Sequence, residues 1–190
     1  MRLRNVALLA SAPVLAAAVA GIPAAEASPG AHVFRSELSP VNSPGRGQVT
    51  IVEQGSELTV HLTARGLDPG MHMAHIHGVI GLDNTCPTPA ADTNGDGLVD
   101  FAEGLPSYGP VQITLRHGDA SDGSTVQLTQ KFTMTDAGGS IDGLGALDNY
   151  AIVVHGVDID GDGMASSTSA DPAHNEITMP ALCGVVTPVG

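Results

Sequence analysis

Three histidines stand in the segment His72-Met73-Ala74-His75-Ile76-His77-Gly78, spaced by three and then two positions. On an extended strand the side chains at 75 and 77 leave one face and that at 76 leaves the other. Two imidazoles can therefore converge on a single ion. Imidazole nitrogen suits copper, zinc, iron and nickel alike, so the pair by itself leaves the metal open. Of the other histidines, His32 and His61 read as surface or strand residues, and His117 sits at a strand end beside Arg116. His174 falls in a long loop and is a candidate fourth ligand or proton donor.

A second pattern concerns oxygen ligands. Asp92-Thr93-Asn94-Gly95-Asp96-Gly97-Leu98-Val99-Asp100-Phe101-Ala102-Glu103 matches the twelve-residue calcium-binding loop at every position. Asp92, Asn94 and Asp96 supply side-chain oxygens, Asp100 does so directly or through water, Leu98 supplies its carbonyl, Glu103 a bidentate carboxylate, and Gly97 the sharp turn. Pro87 and Pro89 before the loop, and Gly104 and Pro106 after it, argue against flanking helices and so for structural calcium rather than a sensor. Asp158-Ile159-Asp160-Gly161-Asp162-Gly163 repeats the first half of the pattern, but its twelfth position is Ser169, so Asp158, Asp160 and Asp162 form only a candidate second cation group.

These residues must be held by the rest of the chain. Residues 1–27 place Arg2 and Arg4 ahead of an apolar run that ends in Ala25-Glu26-Ala27, the form of a secretory signal. Pro13 and Pro23 interrupt that run and disfavour a membrane anchor, and no later segment could span a bilayer. Residues 28–190 then form one exported domain, long enough to bury a hydrophobic core. In an oxidising compartment Cys86 and Cys183 are expected to pair. The formal charge of −13 makes nucleic acid an improbable partner, and the acids cluster at 92–103 and 158–162 as cation-binding groups would. No feature of the sequence supports a homodimer.

Alternation at period two marks strands around Val49/Ile51, Leu58/Val60/Leu62, Val111/Ile113/Leu115 and from Val126 through Leu128, Gln130 and Phe132 to Met134. A first strand is expected at 31–37, followed by a loop at 39–47. Turn chemistry fills Gly66-Leu67-Asp68-Pro69-Gly70 and Asp136-Ala137-Gly138-Gly139, and no amphipathic helix of useful length is evident. The class is all-β, a sandwich or flattened barrel. Two long connections, from 78 to about 109 and from 156 to about 180, depart from this hairpin pattern, and long ordered loops commonly hold function.

Taken together, residues from about 46 to 188 resemble the copper/zinc superoxide dismutase family, which implies an eight-stranded Greek-key barrel. Four segments support the resemblance. Residues 66–77, Gly-Leu-Asp-Pro-Gly-Met-His-Met-Ala-His-Ile-His, resemble the family segment Gly-Leu-x-x-Gly-x-His-Gly-Phe-His-Val-His. Asp83-Asn84-Thr85-Cys86 resembles the start of the disulfide loop, Val153-Val154-His155-Gly156 a strand end bearing another copper histidine, and Ala181-Leu182-Cys183-Gly184-Val185-Val186 the last strand with the partner cysteine. The resemblance implies that His75, His77 and His155 bind copper and do the catalytic chemistry, with His72 a structural neighbour.

The match departs from the family at two places. No histidine lies between His77 and His117 to act as the bridging ligand, and the zinc-ligand cluster is missing with it, so no zinc is expected. Pro180 stands where the family has its substrate-guiding arginine. Asp158, Asp160 and Asp162, just after a copper ligand, would repel the superoxide anion unless a cation neutralises them. Three readings follow: an exported copper-only superoxide dismutase, with calcium replacing zinc as the organiser of the long connection; a non-enzymatic copper-capture or calcium-stabilised binding module; and a related barrel with purely structural histidines.

Overall fold

The computed structural model describes residues 30–116, 118, 123–133, 147–166 and 175–189. The expected secretory signal at 1–27, Met134, the expected turn at 136–139, His117, Ser169 and His174 lie outside them.

Among the described residues nine strands form one antiparallel sheet: β1 (Ala31–Pro40), β2 (Arg46–Gln54), β3 (Glu57–Arg65), β4 (Ala74–His77), β5 (Val111–Arg116), β6 (Thr125–Thr133), β7 (Ala151–His155), β8 (Pro180–Val185) and the short β9 (Thr187–Pro188). Eight of them run in the order β5-β4-β7-β8-β1-β2-β3-β6, and β9 pairs with β1. The result is a nearly closed barrel, as the alternating sequence predicts.

Strands β1, β2 and β3 obey the period of two. Leu58, Val60, Leu62 and Ala64 of β3 are buried against Val49 and Ile51 of β2 and Phe34 and Leu38 of β1. Their neighbours Glu57, His61 and Arg65 face water. The other side of the barrel breaks this rule. Every residue of β4 and β7 is buried, because a second layer covers the outer face. There Ala151, Val153 and Cys183 pack with Tyr108, and Val41, Cys86 and Leu105 close around them. The Cys86–Cys183 disulfide fastens this layer to β8 across a sequence separation of 97.

Two expectations change. The first strand runs on to Pro40, so its connection to β2 spans only 41–45. A helix, α1 (Phe101–Tyr108), begins within the last three residues of the calcium-like loop and runs on despite Gly104 and Pro106. Asp100 starts it with a capping box: its carboxylate accepts from the Glu103 amide, and the Glu103 carboxylate accepts from the Asp100 amide. Pro106 stands near the helix end, where its missing N–H removes just one backbone bond. The helix buries Tyr108 and Gly104 against the barrel. Among the described residues no helix is long and apolar enough to cross a membrane.

Candidate metal centre

Strands β4 and β7 are antiparallel neighbours with His75 opposite Val153 and His77 opposite Ala151. Ala74, Ile76, Ile152 and Val154 point into the barrel core, so His75, His77 and His155 leave by the opposite, covered face. Register shifts interrupt the β4–β5 ladder on either side of His75–Ile76 and the β7–β8 ladder between Val154 and His155. Such irregularities re-aim side chains, here beside all three histidines.

The three rings gather. Their centroids lie 5.5 Å (His75–His77), 5.1 Å (His75–His155) and 5.5 Å (His77–His155) apart. One ligand nitrogen from each lies within 4.8 Å of the others. His77 Nδ1 donates to the Gly109 carbonyl at 2.8 Å, and His155 Nδ1 donates to that of Thr178 at 2.8 Å. Each ring thus keeps its Nε2 lone pair, and these two atoms stand 3.3 Å apart. Two lone pairs so placed repel unless a cation accepts both.

A shared proton is disfavoured. Burial pushes His77 down to about 4, only partly offset by its bond to Gly109. Burial, followed by the proximity of His77 and His75, holds His155 well below the ordinary histidine range. A metal ion that takes neutral imidazoles therefore fits the donor set.

The long connection supplies the orientation. Gly109 adopts a φ of 77°, and a Cβ there would stand 2.8 Å from the Gly78 carbonyl carbon, so only glycine brings its carbonyl to His77 in this way. Tyr108, which the sequence pattern did not single out, packs edge-on against His77 with centroids 4.7 Å apart. Its hydroxyl donates to the Phe101 carbonyl at 3.2 Å. Burial, reinforced by the Asp100 carboxylate, pushes that phenol upward and keeps it protonated.

His72 lies outside the group of three. Its Nδ1 lies 3.1 Å from the His155 carbonyl, and its Nε2 lies 2.9 Å and 3.1 Å from those of Asp68 and Gly123. A Cβ on Gly156, whose φ is 118°, would come within 2.4 Å of His72 Nδ1. His32 and His61 are exposed on β1 and β3.

The two acidic loops have the same internal wiring. Asp92 accepts from the Gly95 and Gly97 amides, Asn94 from Asp96 and Asp96 from Leu98. In the second loop Asp158 accepts from Gly161 and Gly163, Asp160 from Asp162, and Asp162 from Met164. Glu103 Oε1 closes the first loop by accepting from the Thr93 and Asn94 amides at 2.8 and 3.1 Å. The Asp100 amide, aided by the Thr93 hydroxyl and the Thr93 and Asn94 amides, holds this carboxyl down to about 2.

The matching position in the second loop is filled by Glu176. Its Oε1 accepts from the Ile159 and Asp160 amides at 2.8 and 3.2 Å, and its Oε2 from Ser166 at 2.7 Å. Local spacing could not reveal this, because Glu176 lies 16 residues beyond Asp160 whereas Glu103 lies 9 beyond Asn94. Asp158, Asp160 and Asp162 bring carboxylate oxygens within 4.8 Å of one another, and with the histidine triad they are the two such groups among the described residues. The first loop gathers no comparable triad: Asn94 puts an amide where the second loop has the Asp160 carboxylate, and Asp100 caps α1. Asn42 docks that loop on the barrel, bonding both the Val99 amide and carbonyl and the Pro180 carbonyl.

No protein-family model matches this chain, and no curated protein matches it.

Proposed function

We propose that this is an exported copper protein akin to the superoxide dismutases, with one copper ion held by His75, His77 and His155. The observation that carries the reading is the 3.3 Å approach of two buried Nε2 atoms whose Nδ1 partners are both committed to backbone carbonyls. Copper is favoured over harder ions because all three donors are imidazoles. Bound there, copper would supply one-electron Cu(I)/Cu(II) chemistry able to dismutate superoxide. The chain's own part is to fix the imidazole tautomers through Gly109 and Thr178 and to exclude water from the face of His77 with Tyr108.

Copper capture without turnover is the second reading, and one observation favours it. Pro180 opens β8 beside His155, its register partner, where the family resemblance calls for a guiding cation. In either case we assign calcium to the acidic loops, with Asp92, Asn94, Asp96, Leu98, Asp100 and Glu103 as the ligand set of the first and Asp158, Asp160 and Asp162 as that of the second.

Metal analysis of protein exported into medium containing copper and calcium tests the assignment. One copper per chain is expected, with nitrogen hyperfine structure in the Cu(II) spectrum, and His155→Ala should bind copper at least about 100-fold more weakly. Dismutation by the copper-loaded protein would separate the enzyme from the capture module. Copper-free protein from such medium would sink both. Calcium at about 100 times its Kd should stabilise the metal-free protein by about 2.7 kcal/mol, seen as a rise of about 5 °C or more in Tm. An unchanged Tm across a calcium titration would remove calcium from the reading.

A further inference from the structure

On the half of the barrel made by β1, β2, β3 and β6, away from the histidines, lies a cleft of about 750 Å³. Two rows of outward side chains cross its floor. In one, Gln48 pairs with Thr63, and Thr63 with Gln127. In the other, Arg46 pairs with Arg65, and Arg65 with Thr125. The residues between these rows, Gly47, Ala64 and Val126, turn inward or have no side chain, so both rows share one face.

The arginine pair is unusual for this chain. Like charges directly opposite each other across two strands are destabilising. The protein has a formal charge of −13 and seven Lys and Arg residues in all, two of them in the leader, yet two of the remaining five face each other here. Both are exposed, and neither guanidinium has an ion pair or hydrogen bond among the described residues. The pairing is therefore not explained by neutralising partners within the fold. Glu37, opposite Gln48 at the far end of the first row, is the one acid among the described lining residues.

We infer that this cleft binds a phosphorylated sugar. Two fork-shaped guanidiniums complement a dianionic phosphate monoester, which carries nearly two charges at neutral pH, better than a singly charged sulfate ester. The cleft is far larger than a bare phosphate, and the size suits a small organic ligand. Gln48, Gln127, Thr63 and Thr125 offer donors and acceptors for hydroxyl groups, and Glu37 can accept from one more. Among the described residues no aromatic ring lines the cleft to stack on a nucleobase.

Calorimetric titration of the exported full-length domain with glucose 6-phosphate, inorganic phosphate, glucose 6-sulfate and glucose tests this directly. Glucose 6-phosphate should bind most tightly, inorganic phosphate and the sulfate ester at least tenfold more weakly, and glucose not measurably. R46Q and R65Q should each weaken glucose 6-phosphate binding at least tenfold, and the double variant should abolish it. Both sites are exposed, so Tm of the unliganded variants should hold or rise as the like-charge repulsion is relieved, which separates lost binding from lost folding. Binding of glucose 6-phosphate should also weaken as pH falls below about 6, where the phosphate takes up its second proton. No binding at millimolar concentration, equal binding of inorganic phosphate, or full binding by the double variant would each overturn the proposal.

Discussion

Removing the Cys86–Cys183 bridge is expected to cost the fold about 4 kcal/mol, because the crosslink closes a loop of 97 residues and restricts the unfolded chain accordingly. The loss should reach the metal centre as well. Cys183 lies opposite Val153 on β7, and both pack in the layer that contains Tyr108. Cys86 tethers the start of the same connection that ends by presenting Tyr108 and the Gly109 carbonyl to His77. A loosened connection would free the His77 ring to rotate and would admit water. Denaturant unfolding of wild type with and without reductant, and of the Cys86→Ala/Cys183→Ala variant, should show matching losses in midpoint, and copper affinity of the variant should fall in parallel. An unfolding free energy within about 1 kcal/mol of wild type would mean that the outer layer holds without its staple.

The metal-free protein should also lose stability steeply on mild acidification. His77 titrates near 4 in the fold, against an ordinary value of 6.5 when the chain is unfolded. Between those values the unfolded chain binds a proton that the folded one refuses, so stability is complete above about pH 6.5 and declines as pH falls toward 4. For His77 alone the loss is about 3 kcal/mol. His155 shifts in the same direction and adds to it. Glu103 acts in a separate window, since its depressed carboxyl contributes stability that is lost only as pH falls from the ordinary carboxylate range toward about 2. Unfolding of metal-free wild type and His77→Gln from pH 7.5 to 4.5 checks the assignment. The variant should show a shallower decline, and identical slopes would detach His77 from the effect.

How much of this could be read in the residues depends on how local each interaction is. The strands β2 and β3 show a plain alternation because one face meets water. In β4 and β7 alternation vanishes, since α1 and the disulfide layer bury the second face, and these strands are recognisable only through their histidines and the family resemblance. Helix α1 is hidden by Gly104 and Pro106, whose helix-breaking tendency is overcome by the Asp100/Glu103 capping box and by burial of Tyr108. His75 and His77 are legible because two residues of one strand suffice to aim them. Glu176 is not, because its partnership with Ile159 and Asp160 exists only after the chain has returned to the barrel. The Arg46–Arg65 pairing likewise requires the β2–β3 register, which no spacing of arginines along the chain reveals.

The two acidic loops share their wiring but close it from different distances, and this sets when each can form. Glu103 belongs to the same short stretch as the amides it binds and also caps the helix that follows, so the first loop and α1 can assemble as a local unit with little loop-closure entropy to overcome. The second loop waits for Glu176, which stands immediately before β8 and is wholly buried there. Its shape is thus conditional on the docking of β8, beside β7 and His155, whereas that of the first is not. One loop is closed by a carboxylate of its own short stretch; the other is a late tertiary element, ordered when the histidine pocket itself is ordered.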